Sequence, residues 1–180
     1  KLALSLTERF PEHEFGWKAL GALLSQTGRF SESLVPNQKS VQLAPQDAEA
    51  HYNLGDTLKE LGRLNEAEAS CRQAITLKPV FAEAHNNLGN TLKELGRLDE
   101  AEASYTQAIA VKPDFAEARN NLGVTLQELG RLDEAEASYT QAIAVKPDYA
   151  EARSNLGVTL QELGRLEEAE ASYTQAIAVK

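Results

Sequence analysis

The chain is poor in the residues that carry out chemistry. A single cysteine, Cys71, among 180 residues excludes an internal disulfide framework. Only three histidines occur, His13, His51 and His85, and there is no GxSxG, P-loop, HExxH or dinucleotide fingerprint. The expectation is therefore no enzyme, no catalytic residue, no cofactor and no metal. No apolar run approaches the roughly 18 residues that a membrane span needs. No basic region, apolar stretch and cleavage site mark a signal peptide at the start, so the cytoplasm is the default expectation. The net charge of −9 disfavours nonspecific binding to nucleic acid or anionic lipid.

What the chain does have is a repeat. Residues 82–115 and 116–149 differ only at His85/Arg119, Asn90/Val124, Lys93/Gln127 and Phe115/Tyr149, and the same register extends back to Ala48 and forward to Lys180. A fixed period in the range of about 20 to 50 residues signals units that bury their apolar faces against one another instead of folding alone. With 42% hydrophobic and 25% charged residues, the material suits a linear core. Function is then expected on a surface and not in a pocket.

Each unit reads as two helices. In the unit from Ala82, the residues His85, Leu88, Gly89, Leu92 and Leu95 follow helical spacing up to Gly96, which suits a left-handed residue just past a helix end. Asp99 with Glu102 has the pattern of a capping box for a second helix, whose apolar stripe is Ala101, Tyr105, Ala108 and Ile109 and which Pro113 ends. Asp114 with Glu117, Asp133 with Glu136 and Asp148 with Glu151 repeat the capping signal.

The residues Trp17, Leu20, Gly21, Leu24 and Pro45 begin a pattern that recurs as His51, Leu54, Gly55, Leu58, Ala67, Cys71, Ala74 and Pro79. It recurs again as His85, Leu88, Gly89, Leu92, Ala101, Tyr105, Ala108 and Pro113, and from Arg119 and from Arg153. This pattern resembles the tetratricopeptide repeat. The resemblance implies an all-α fold, a right-handed superhelical solenoid of antiparallel helix pairs. It divides the chain into a partial second helix and linker (1–13), a degenerate repeat (14–47), three full repeats (48–81, 82–115 and 116–149) and a last repeat (150–180). Together they form one solenoid domain.

The first full unit is irregular. Ser33, Asn37 and Ser40 stand where later units carry Ala, Tyr or Cys, and Ala, and Pro36 falls inside the second helix, so that helix is expected to bend or start late. Residues 1–11 match a second helix, which suggests a start inside a longer array. Lys180 stops one position before the next expected proline, leaving an apolar face of Leu160, Tyr173 and Ile177 to be covered by more chain or by an end-to-end copy.

Cys71 replaces a core tyrosine and reads as a small buried hydrophobe. His51 and His85 stand one repeat apart, but Trp17, Arg119 and Arg153 share their position, so packing is expected and not a metal site. One pattern stands apart from the core. On a wheel of about 100° per residue, Glu83, Asn86, Asn87, Asn90, Lys93 and Glu94 gather opposite the Leu and Gly stripe. Asn87 has counterparts in Asn53, Asn121 and Asn155. The resemblance places this side of the first helix in a concave groove, where the asparagines would form a ladder similar to that of the repeat region of O-linked N-acetylglucosamine transferases. An amide both donates and accepts, which suits reading a peptide backbone. The expected peptide-binding set is Asn53, Asn87, Asn121 and Asn155 with Tyr52, Asn86, Asn90, Asn120, Lys59 and Lys93. The bland alternative is that the Asn-Leu-Gly run was simply copied with the repeat.

Glu49, Glu83, Glu117 and Glu151, with Glu60, Glu94, Glu128 and Glu162, make that groove acidic. Lys59 and Lys93 soften it early, whereas Gln127 and Gln161 do not. A neutral or basic extended protein segment is the expected partner. Ala22 and Glu83 stand where a clamp for C-terminal carboxylates would want an amide and a cation, which disfavours that mode. Two other readings coexist with the peptide module: the substrate-recruiting arm of a larger transferase, and a scaffold that stacks through its ends.

Overall fold

The computed structural model describes residues 2–179, and Lys1 and Lys180 lie outside it. Among the described residues there are eleven α-helices and no strand: α1 Leu2–Arg9, α2 Glu14–Gln26, α3 Phe30–Leu43, α4 Ala48–Glu60, α5 Leu64–Leu77, α6 Ala82–Glu94, α7 Leu98–Val111, α8 Ala116–Glu128, α9 Leu132–Val145, α10 Ala150–Glu162 and α11 Leu166–Ala178. The chain divides into two compact units, residues 1–95 and 96–180. In the first unit α2 to α6 pack each on the next in chain order, and the first helices of the repeats, α2, α4 and α6, touch directly. In the second unit α7 to α11 do the same, with α8 against α10.

Two kinds of glycine build these pairs. Gly130, at φ +75, has open space where a Cβ would sit, so its role is the left-handed turn between α8 and α9. Gly123 instead makes room: a Cβ there would lie 2.6 Å from Cε1 of Tyr139, whose ring is fully buried against it. Gly157 faces Tyr173 in the same way, and Gly55 faces Cys71. Buried alanines complete the seams, among them Ala67, Ala74, Ala135 and Ala142, all at 0% exposure.

The capping boxes do not form. Asp47 caps α4, its Oδ1 accepting from the backbone N–H of Glu49 and Ala50 at 2.9 and 3.3 Å. The cap positions of α7, α8, α9 and α10 fall on Arg97, Phe115, Arg131 and Tyr149, none of which makes a side-chain cap. Asp99 and Asp133 consequently lie inside the first turn, where their charge still suits the helix dipole. Glu102 and Glu136 turn elsewhere. They accept from Nη1 of Arg131 and Arg165 in the following repeat, both at 2.6 Å.

The irregular first repeat also departs from expectation. Helix α3 starts at Phe30, 34 residues before its counterpart α5, and continues through Pro36. Its start is not late. Ser33, Asn37 and Ser40 are fully buried and give this repeat a polar seam. Thr57 is its hub, with Asn37 Nδ2 donating to its Oγ1 at 2.8 Å and the hydroxyls of Ser25 and Ser33 at 3.0 Å. Buried polar groups bonded in this way avoid the penalty of unpaired ones, although Asn37 Oδ1 and Ser40 Oγ have no partner.

Candidate interaction face

The start of every first helix is tied down by one device. Trp17 Nε1 donates to the carbonyl of Pro11 at 2.8 Å, and His51 and His85 reach the carbonyls of Pro45 and Pro79 at 3.0 Å through Nε2. Arg119 and Arg153 reach Pro113 and Pro147 at 2.9 and 2.8 Å through Nη2. An indole, an imidazole and a guanidinium interchange here because each projects an N–H over the same span. Packing alone, the expected role of this position, does not account for the interchange; a donor to a proline carbonyl does.

With the helices placed, neighbouring first helices are joined sideways. In the first unit, Asn87 Nδ2 donates to Asp56 Oδ1 at 3.2 Å, and Lys18 Nζ pairs with Asp47 and Glu49 at 2.8 and 3.2 Å. In the second unit, Asn155 Nδ2 donates to Asn120 Oδ1 at 3.0 Å, and Asn120 Nδ2 donates to Glu151 at 3.2 Å. About two turns further along, Gln127 Nε2 donates to Glu162 at 2.9 Å.

The ten residues of the expected binding set therefore occupy different situations. Asn53, Asn121 and Asn155 are partly buried, whereas Asn86, Asn87 and Asn120 are buried at 3%, 8% and 1% exposure. Asn87 bonds to Asp56 on α4, and Asn120 to Glu151 and Asn155 on α10, contacts that a single-helix wheel cannot show. Tyr52 packs at the edge of the core formed by Ala74, Phe81 and Ala84, its ring centroid 5.1 Å from that of Phe81. Asn90 and Lys93 are partly buried. Lys59 is engaged, 2.8 Å from Glu60 and 3.8 Å from Asp56.

The electrostatics follow this crowding. Burial pushes the Asp56 carboxyl above its ordinary value, with Glu60 adding to the effect and Lys59 and Asn87 only partly offsetting it. Burial drives Lys59 down, but Glu60 and Asp56 outweigh it and hold the ammonium above its usual value. At Asp47, burial raises the carboxyl but the hydrogen bond and charge of Lys18 prevail, and the net shift is downward. Among the described residues, no group of three His, Cys, Asp or Glu side chains is placed to hold a metal ion, and no helix is long and apolar enough to cross a membrane.

Stacked helix pairs with a glycine-to-tyrosine seam and a proline-anchored first helix define a helical-repeat protein. Tetratricopeptide repeat models match residues 48–81, 70–103 and 114–180, and a TPR repeat model matches 89–130. The chain belongs to the tetratricopeptide repeat family. Among solved structures it is similar to TTC0263, a thermophilic TPR protein of Thermus thermophilus, at 29% identity and a TM-score of 0.77, over 92% of this chain and 91% of that one. It is similar to MamA at 25% identity and a TM-score of 0.78, over 88% and 93%. PilF of Pseudomonas aeruginosa shares the fold, with a TM-score of 0.85 at 20% identity over 93% and 76%. No curated protein matches the sequence. The fold and its relatives are those of a protein–protein interaction module.

Proposed function

We propose that the chain binds an extended protein segment along the face formed by the first helices of its repeats, in the concave groove of the family, and that it acts by binding and not by catalysis. The observation that carries this reading is the sideways bonding of the asparagines. Asn87 and Asn155 donate through Nδ2 to a neighbouring helix, which leaves Oδ1 as the acceptor for a ligand N–H. Within each unit the proposed ladder of Asn53, Asn87, Asn121 and Asn155 then offers an acceptor, Asn87 in the first and Asn155 in the second, among side chains that are largely carboxylates. Such a face favours donors, namely peptide N–H groups and lysine or arginine side chains, and disfavours acidic segments.

The test is fluorescence anisotropy with a labelled, unstructured peptide of Gly, Ser and Lys. Asn87→Ala with Asn121→Ala should weaken binding several-fold; because the change also removes the donor to Asp56, affinities are compared at a temperature where the melt shows both proteins fully folded. Undiminished affinity in that variant removes the ladder from the account.

A further inference from the structure

Resting on the interaction-face reading, we propose that the α8–α10 face selects an extended segment in which a small apolar side chain is flanked by lysines or arginines. Three observations within residues 96–180 point there.

The first is a change of residue type. The repeat position held by Ala22, Asp56 and Asn90 in the first unit is valine at 124 and 158. Val158 is 38% exposed, and Val124 is partly buried, leaning on the core of Leu126, Ala135 and Tyr139. Valine has no advantage over asparagine as a helix former, so the helix itself does not ask for the change.

The second is where the sideways bonds run. Asn155 to Asn120 and Asn120 to Glu151 join α8 and α10 on one side of the valines, and Gln127 to Glu162 joins them on the other. Valine side chains can form no such bond, so their level is an apolar rung between two polar ones.

The third is charge. Glu117, Glu128, Glu151 and Glu162 are all exposed, and the position that carries Lys59 and Lys93 in the first unit carries Gln127 and Gln161 here. At 1.5 Å per residue, Glu128 stands about 6 Å along α8 from Val124, and Glu117 about 10 Å on the other side. α10 repeats the spacing with Glu151, Val158 and Glu162. The tyrosine phenols register the same negative field. Tyr149 is pushed up to about 12, by burial first and then by Glu151 and Glu117. Tyr139 is raised by burial and then by Glu128, Glu162 and Glu151. A segment crossing the two helices at the valine level can set an apolar side chain on the rung while cations on either side reach the carboxylates, the long stems of Lys and Arg lying over apolar surface.

The test uses the full chain and three labelled peptides: Lys-Val-Lys triplets spaced by Gly-Ser, the same with Lys-Ser-Lys, and the same with Glu-Val-Glu. Lys-Val-Lys should bind at least about threefold tighter than Lys-Ser-Lys, since even partial burial of a valine is worth that much, and Glu-Val-Glu should not bind. Val124→Asn with Val158→Asn, which installs the residue of Asn90, should abolish the Val-over-Ser preference while binding of the Lys-Ser-Lys peptide is retained, which shows that the variant is folded. Glu128→Gln with Glu162→Gln should weaken both lysine peptides and flatten their dependence on salt. Equal binding of the Val and Ser peptides to the parent chain overturns this inference but leaves the interaction face standing. Failure of all three peptides to bind overturns the reading on which it rests.

Discussion

Asn87 donates through Nδ2 to the carboxylate of Asp56, 3.2 Å away on the neighbouring first helix. The bond joins a residue of the expected ladder to an acid whose surroundings disfavour its charge, so the same contact bears on binding and on stability. Asp56 has its carboxyl raised, chiefly by burial. A carboxyl raised by folding stabilises the fold below its unfolded value of about 4 and loses that contribution as pH rises through the folded value.

It follows that Asp56→Asn, which keeps an acceptor for Asn87 and removes the buried charge, should raise the melting temperature at pH 7. The gain should be below about 1 kcal/mol for so partly exposed a group, and it should shrink as the pH approaches 4. Thermal melts at the two pH values check it, and a destabilised variant at pH 7 contradicts it.

The donor to proline predicts an unusual pattern of tolerance. His85→Arg should be neutral, because Arg119 and Arg153 make the same bond. His85→Phe keeps the bulk and loses the donor to Pro79, so it should cost about 0.5–1.5 kcal/mol. Denaturant unfolding of the two variants separates them; equal stability would return this position to a packing role.

Gly123→Ala places a methyl 2.6 Å from the Tyr139 ring. Overpacking of this kind costs about 1–3 kcal/mol. Tyr139→Cys, the pairing found at Gly55 and Cys71, should recover part of the loss, and the coupling is read from the double-mutant cycle. Additive losses would show that the two residues do not share the seam.

Cys71 is fully buried, and burial is the main cause that pushes its thiol up to about 12. It should resist alkylation in the folded chain at pH 8 and react at once in denaturant, because the thiolate is the reacting form. Its folded-state preference for the neutral thiol is lost between about pH 9 and 12. Rapid labelling under native conditions would contradict the buried seam.

Much of this architecture is legible in the sequence, and what is hidden has a common cause. Gly130 and Pro113 announce their turns because the reason for each is local. The capping boxes mislead because the tight turn at Gly96 puts Arg97 at the start of α7, and so moves Asp99 into its first turn. The bonds from Asn155 to Asn120 and from Gln127 to Glu162 each span 35 residues, so no wheel drawn on one helix can contain them. For the same reason Asn120 falls on the open side of the wheel yet is buried. The interchange of Trp17, His85 and Arg153 becomes intelligible only when the carbonyl six residues earlier is in view. The Leu and Gly core is read within one repeat, whereas the side-chain bonds of the first helices are made between repeats.

The most direct test of the account is chemical-shift mapping of the isotope-labelled chain during titration with the Lys-Val-Lys peptide. Shifts are expected to concentrate on first-helix residues, with Asn121, Asn155 and Val158 among the largest and the outer sides of α9 and α11 unchanged. Shifts confined to the second helices, or none at saturating peptide, would contradict it.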